Sequence, residues 1–249
     1  MRFAAIADIH GNHAALKAVL DDVTSLGIRN VVNLGDCFSG PLEAGKTADL
    51  LLLLDPEGTA TVRGNHDRYL LEASGAAELG PWEGDALGQL APRHVQWLAR
   101  LVPERVYRDE AFLCHATPHA DEVYWLEKVS EDGHVGLRPL EEIEALAAGV
   151  TQGLVLCGHS HVPRIVQLSG GRLIVNPGSV GCPAYDDDHP VFHRIENGHA
   201  LASYAVLEKV GQAWSVQLRN IPYDHMAMSR LAASRGRDDW ALALATGRV

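Results

Sequence analysis

Five short apolar runs in this 249-residue chain stop abruptly at side chains able to hold a metal ion. Phe3 to Ala7 runs into Asp8-Ile9-His10-Gly11, Val31 to Leu34 into Gly35-Asp36, and Thr61 to Arg63 into Gly64-Asn65-His66-Asp67. Leu154 to Cys157 runs into Gly158-His159-Ser160-His161, and Ala111 to Cys114 into His115. Apolar runs this short read as buried strands, so each places a ligating group at a strand's carboxyl end. Continued as a strand with period two, Asp8 and His10 point the same way and can share one ion. One Asp-x-His is weak, because a polar strand end meeting solvent looks the same. The repetition of the pattern is the signal.

The spacing between the runs constrains the fold. Asn12 is a candidate helix N-cap, followed by Leu16, Val19, Leu20, Val23 and Leu26 at helical spacing and a stop at Gly27. A strand from Asn30 to Leu34, a helix around Glu43 to Leu54 and a third strand from Thr59 to Val62 follow. Strand, helix, strand, helix, strand requires parallel pairing with right-handed crossovers, and such sheets bind ligands beyond the carboxyl ends of their strands. Residues 67–102 read as a helical covering layer interrupted by Gly75, Gly80, Pro81, Gly84 and Pro92, with its clearest helix from Arg93 to Leu101.

Hairpins are expected at 106–114, at 164–175 across Ser169-Gly170-Gly171, and at 200–220 across Lys209 to Gln212. A helix from Pro139 to Ala148 leads into the strand before His159, and a helix from about Asp224 leads into a loosely packed tail. The polar segment 117–136 reads either as a lid or substrate wall or as an ordinary surface excursion. The whole, residues 1–249, is expected to be one α/β domain.

A formal net charge of −11 excludes proteins that coat nucleic acid or bind membrane surfaces through a basic face. A small phosphorylated substrate stays open if bound cations supply local positive charge. Cys37, Cys114, Cys157 and Cys182 have no C-x-x-C spacing and read as small buried hydrophobes. No apolar run is long enough to span a membrane, and the N-terminal run breaks at Asp8, so a cytoplasmic protein is expected.

Asp8, His10, Asp36, Asn65, His115, His159 and His161 exceed the ligand needs of one ordinary ion and suit two that share a carboxylate. Two divalent cations and two carboxylates leave a charge of about +2 to meet a phosphoryl group. Mixed nitrogen and oxygen ligation favours transition metals, with Mn expected first and Fe, Zn, Ni or Co as alternatives.

Asp-x-His, Gly-Asp, Gly-Asn-His-Asp, a lone His and Gly-His-Ser-His, in that order over residues 8–161, resemble the calcineurin-like metallophosphoesterase superfamily. Asp8-Ile9-His10-Gly11-Asn12 and Asn176-Pro177-Gly178-Ser179-Val180-Gly181 further resemble its small bacterial and archaeal branch, the YfcE-like phosphodiesterases. The resemblance implies a four-layer αββα sandwich, two facing mixed β-sheets flanked by helices. It implies one metal on Asp8, His10 and His161, a second on Asn65, His115 and His159, and Asp36 as the bridge.

By the same resemblance a metal-activated hydroxide attacks in line, and His66 is the general acid or a donor to the developing charge. Asp67 orients His66 or caps the following helix. Arg63 resembles the phosphate-contacting arginine of the protein phosphatase branch, or is a strand-end salt-bridge partner. Protein phosphatases carry Gly-Asp-x-x-Asp-Arg-Gly, whereas Asp36 is followed by Cys37-Phe38-Ser39-Gly40, which argues against protein dephosphorylation. Asp186-Asp187-Asp188 reads as a solvated loop. The expected activity is phosphodiester hydrolysis of a small nucleotide-like or cyclic substrate. The alternatives are a dinucleoside polyphosphate hydrolase, a phosphomonoesterase, or a metal-stabilised protein-binding scaffold.

Overall fold

The computed structural model describes residues 1–73 and 80–249; Gly75, expected as a helix break, lies outside them. The chain opens with β1 (Arg2–Ile6), α1 (His13–Ser25), β2 (Val31–Asn33) and α2 (Ala44–Leu54). Asn12 caps α1, its side-chain oxygen accepting from the Ala15 amide. β1 and β2 pair in parallel, with Ala5 opposite Val32.

The expected third strand contracts to two isolated bridges, Thr61 to Asn33 and Val62 to Val102, both parallel. Its first half is held in a turn instead. The Asp55 carboxylate accepts from the Thr59 and Ala60 amides, which are then not free to donate to a ladder, and from the Thr61 hydroxyl.

The covering layer comprises α3 (Asn65–Ala73), α4 (Pro81–Leu87) and α5 (Pro92–Leu98). β3 (Glu104–Tyr107) and β4 (Ala111–Cys114) form the first expected hairpin. The segment 117–136 holds most of a second, unexpected one, β5 (Glu127–Val129) with β6 (Val135–Leu137). Then come α6 (Leu140–Leu146), β7 (Leu154–Leu156), β8 (Arg164–Gln167) and β9 (Leu173–Asn176), with β8 and β9 antiparallel. β10 (Ala184–Asp187), β11 (His193–Glu196), β12 (Ala202–Val210), β13 (Ala213–Ile221), α7 (His225–Ser234) and α8 (Asp238–Thr246) complete the order.

Two principal sheets result, ordered β13-β12-β1-β2 and β3-β4-β7-β9-β8. Strand alternation divides each between two cores. Along β1 and just beyond it, Phe3, Ala5 and Ala7 face the second sheet and meet Leu113, Leu156 and Val175. Ala4 and Ile6 face outward onto Leu16 and Val19 of α1 and Leu51 of α2. On the opposite outer face, Phe112, Val155 and Ile174 pack against Ile143 and Ala147 of α6 and its C-cap. Helix, sheet, sheet and helix make the four-layer αββα sandwich that the resemblance implied.

Two expectations are corrected. The tail is not loosely packed: Trp240 and Leu244 of α8 are buried with Leu42, Cys182 and Met228. Nor is Asp186-Asp187 a free loop, because both residues lie on β10, paired with Arg194 and His193 of β11. The two polar side chains concealed a strand edge.

Candidate active site

The candidate ligand side chains converge from both sheets, by a local device different from strand alternation. β1 ends at Ile6, before Asp8 and His10. Asp8 (φ 54°), His10 (48°), Asp36 (55°), His159 (69°) and His161 (58°) all adopt the left-handed region; among the described residues the other non-glycine examples are Arg108 and Asp109. Such residues cost about 1–3 kcal/mol each and persist where their surroundings over-determine them. Here the Asp8 amide donates to the Gly35 carbonyl at 3.0 Å and the His10 amide to the Asp36 carbonyl at 3.0 Å. The Gly181 amide donates back to the Asp8 carbonyl at 3.0 Å, so Asn176 to Gly181 pins the first ligand turn. Gly64 is required by proximity, since a Cβ there would collide with Asp36 Oδ1.

Asp8, His10 and His161 present ligand atoms within 4.8 Å of one another, and so do Asp36, His115 and His159. His10 Nε2 and His161 Nε2 stand 3.2 Å apart, and His161 Nε2 lies 3.5 Å from Asp8 Oδ1. Asp36 connects the two groups: its Oδ2 is 3.2 Å from His115 Nε2 and 3.8 Å from His10 Nε2. Its Oδ1 is taken by the His66 amide at the start of α3, at 3.0 Å. Gaps of this size between donor atoms suit cations with ligand distances of about 2.0–2.2 Å.

The hydrogen bonds behind the site support that fit. His115 Nδ1 donates to the Leu34 carbonyl at 2.8 Å and His161 Nδ1 to the Cys182 carbonyl at 2.7 Å, which turns both Nε2 atoms to the centre. Asn65 Oδ1 is buried without a hydrogen-bond partner, and His115 Nε2 has the Asp36 carboxylate beside it at 3.2 Å. An orphaned buried acceptor such as this amide oxygen is expensive unless something ligates it.

Burial lowers His10, and lowers His159 to about 4 and His161 to about 3, so these imidazoles are neutral and offer lone pairs. Burial pushes the Asp8 carboxyl up to about 8. Burial opposes charge at His115 too, but the Asp36 carboxylate outweighs it and raises the imidazole, while His115 in turn holds Asp36 well below the usual carboxylate range despite its burial.

Residues 1–198 match the family model described as the calcineurin-like phosphoesterase superfamily domain. The chain belongs to that superfamily. The likeness in fold extends further: a metallophosphoesterase from Sphaerobacter thermophilus superposes with a TM-score of 0.74 at 24% identity, covering 99% of each chain. The hypothetical protein PH1004 from Pyrococcus horikoshii OT3 gives 0.76 at 18% identity, over 99% of this chain and 98% of its own. Uncharacterized protein MJ0912 of Methanocaldococcus jannaschii is 23% identical over 242 residues, 89% of this chain and 87% of that protein.

In this calcineurin-like phosphoesterase the two ligand groups open onto a cavity of about 830 Å³. His10, Asp36, Asn65, His159 and His161 form its floor, and His66, Tyr69, Trp82, Tyr124 and Tyr185 are among its walls. Glu122, Val123, Tyr124 and Val129 bring the 117–136 segment to the cavity, and Asp186, Asp187 and His189 bring the β10 hairpin. His66 Nδ1 is hydrogen-bonded to Glu83 Oε1 at 2.7 Å, and its ring stacks on Trp82 with centroids 4.8 Å apart.

Neither Asp67 nor Arg63 lines the cavity. The Asp67 carboxylate accepts from the backbone amides of Asp36, Cys37 and Gly64 at 2.9–3.0 Å, fully buried and away from His66. Its bond to Gly64, just before α3, is the backward reach of an acid in a first helical turn, and the other two tie the Asp36 turn to that helix. Arg63 does not line the cavity; its Nε is buried without a partner, and no salt bridge to it is found among the described residues. Glu83 and Trp82 were not legible as site residues. They stand sixteen or more positions from His66 on a separate helix, and only Gly80-Pro81 marked the start of that helix.

Proposed function

We propose that this phosphoesterase is a phosphodiesterase for small nucleotide-like or cyclic phosphodiesters, working with two divalent transition-metal ions, Mn foremost. The observation that carries the reading is Asp36 Oδ2 lying between an imidazole of each ligand group, beneath a cavity that His66 borders. Asp8, His10 and His161 would hold one cation and Asn65, His115 and His159 the other, with Asp36 shared. Bound there, the pair supplies positive charge for the phosphoryl oxygens and a water of lowered pKa.

The chain's own residues do the rest. Asn65 and the buried imidazoles fix the floor, so a phosphoryl group entering the cavity meets groups that need no rearrangement. As water adds to phosphorus, the bond pair of the breaking P–O ester passes to the leaving oxygen, and His66 supplies the proton that oxygen takes. The proton lost by the attacking water balances it. Tyr69, Trp82, Tyr124 and Tyr185 give the cavity room and apolar surface for a second ester substituent, which favours a diester over a simple monoester. The 117–136 segment serves as a substrate wall, and residues 1–249 act as one unit. The four free, buried cysteines favour a reducing, cytoplasmic setting.

With Mn, bis(p-nitrophenyl) phosphate should be turned over faster than the matching monoester or a dinucleoside polyphosphate. Asp36→Asn should lower that turnover by about 100-fold or more, and His66→Ala should lower turnover of an alkyl diester, whose poor leaving group needs the proton, by a similar factor. Undiminished turnover in both variants overturns the proposal, and preference for the polyphosphate moves the protein to another branch of phosphoester hydrolysis.

A further inference from the structure

We propose that Glu83 is the positioning residue of His66: its carboxylate holds Nδ1, Trp82 backs the ring, and Nε2 is thereby the nitrogen presented to the leaving oxygen. This rests on the reading of His66 as a proton donor. A carboxylate accepts only, so a 2.7 Å bond to Glu83 Oε1 keeps one proton on Nδ1, and the proton given to the leaving oxygen is the second one, carried on Nε2 of the cationic ring. The imidazole that must exchange a proton with substrate is then oriented from behind, as the supporting carboxylate of a catalytic histidine requires.

Both partners are shielded from water. The Glu83 side chain is 9% exposed and that of His66 22%. The local chain is shaped for this contact: Glu83 is the third residue of α4, and a Cβ at Gly80 would collide with Glu83 Oε2. Glycine before the helix therefore gives the carboxylate its place.

The ring is confined on its other sides. Trp82 stacks on it at 21° between planes, and Tyr69 and His10 meet it edge-on at 5.5 and 5.4 Å. Trp82 is itself backed by Trp240 of α8 at 4.8 Å. That helix lies beyond the 1–198 family match, so the support of His66 reaches into the C-terminal part of the chain.

A merely structural Glu83, joining α4 to α3, makes different forecasts. A proton donor matters most where the leaving group is a poor one. With Mn and a series of diesters of falling leaving-group acidity, Glu83→Ala should lose about 100-fold on alkyl esters and stay within about threefold on nitrophenyl esters. Metal content should be unchanged. The double variant Glu83→Ala/His66→Ala should be no slower than His66→Ala, because the two act as one unit.

Glu83→Gln keeps the shape and an acceptor oxygen, and should fall between wild type and Glu83→Ala on alkyl esters. Independently of turnover, ¹⁵N spectra of the histidine side chains recorded across pH should show the neutral ring of His66 as the Nδ1–H form in wild type, the proton lost on neutralisation being the one on Nε2, and a tautomer mixture in Glu83→Ala. Equal losses on all leaving groups, additive losses in the double variant, or an unchanged tautomer overturns the assignment. A wild-type enzyme inactive on every diester would overturn the proposed function instead, while the spectra would still decide the Glu83–His66 pairing.

Discussion

Asp67 shows how much a single buried side chain can hold at this site. Its two oxygens satisfy three backbone amides, two in the turn that carries Asp36 and one just before α3, which begins with Asn65 and His66. Asp67→Ala strands three buried donors, each worth about 1–3 kcal/mol when left unpaired. The expected outcome is a loss of about 3 kcal/mol or more in urea unfolding, together with weaker metal retention, since the Asp36 turn and the Asn65 turn lose their common tie. Asp67→Asn, which keeps an acceptor, should lose less. The adjacent His66 illustrates the opposite case, a residue whose chemistry depends on a partner seventeen positions away.

At the scale of elements, α8 is the least expected contributor. Trp240 is 3% exposed, its ring lies where a Cβ on Gly40 would fall, and it approaches the ring of His10 at 6.1 Å. Gly40 has φ 101°, so the backbone there both turns and leaves room for the indole. Trp240→Ala should destabilise by about 3–5 kcal/mol in chemical denaturation, with Trp240→Phe recovering much of it.

A second tie between elements is sensitive to pH. Asp22 of α1 accepts from Arg219 of β13 at 2.9 and 3.0 Å and from the Tyr204 hydroxyl of β12. Burial pushes its carboxyl up, but the Arg219 and Tyr204 hydrogen bonds outweigh that and hold it below its usual value of 3.8. The unfolded chain therefore binds this proton first as the pH falls. The stabilisation is complete above about pH 5 and is lost as the pH drops through the lowered folded value. Asp22→Asn should cost about 1 kcal/mol at pH 7 and progressively less below pH 4, read as converging unfolding curves.

For the whole molecule, the two candidate ligand groups span the two sheets: Asp8, His10 and Asp36 follow β1 and β2 of one, and His115, His159 and His161 follow β4 and β7 of the other. A cation held there binds the native chain and not the unfolded one. Free metal at about 1,000 times its dissociation constant should add about 4 kcal/mol. Chelation should lower the thermal midpoint and readdition of Mn restore it, with a smaller shift in Asp36→Asn. An unchanged midpoint after verified metal removal would show that the sheets need no such clasp.

The local pattern of the chain was enough to place β1, α1, β2 and α2 in order, and to mark the candidate ligand side chains that follow β1, β2, β4 and β7. Those signals lie between covalent neighbours, where periodicity and glycine placement act directly. The left-handed turns at Asp8, His10 and Asp36 replaced the strand alternation inferred for the first two, because tight packing of adjacent turns over-determines a conformation that local preference disfavours. Glu83 beside His66, Asp67 beneath two turns and Trp240 behind Trp82 had no local signature. Each depends on which surfaces meet when the helices close over the sheet, and that is settled by packing across distant segments, not by the residues on either side.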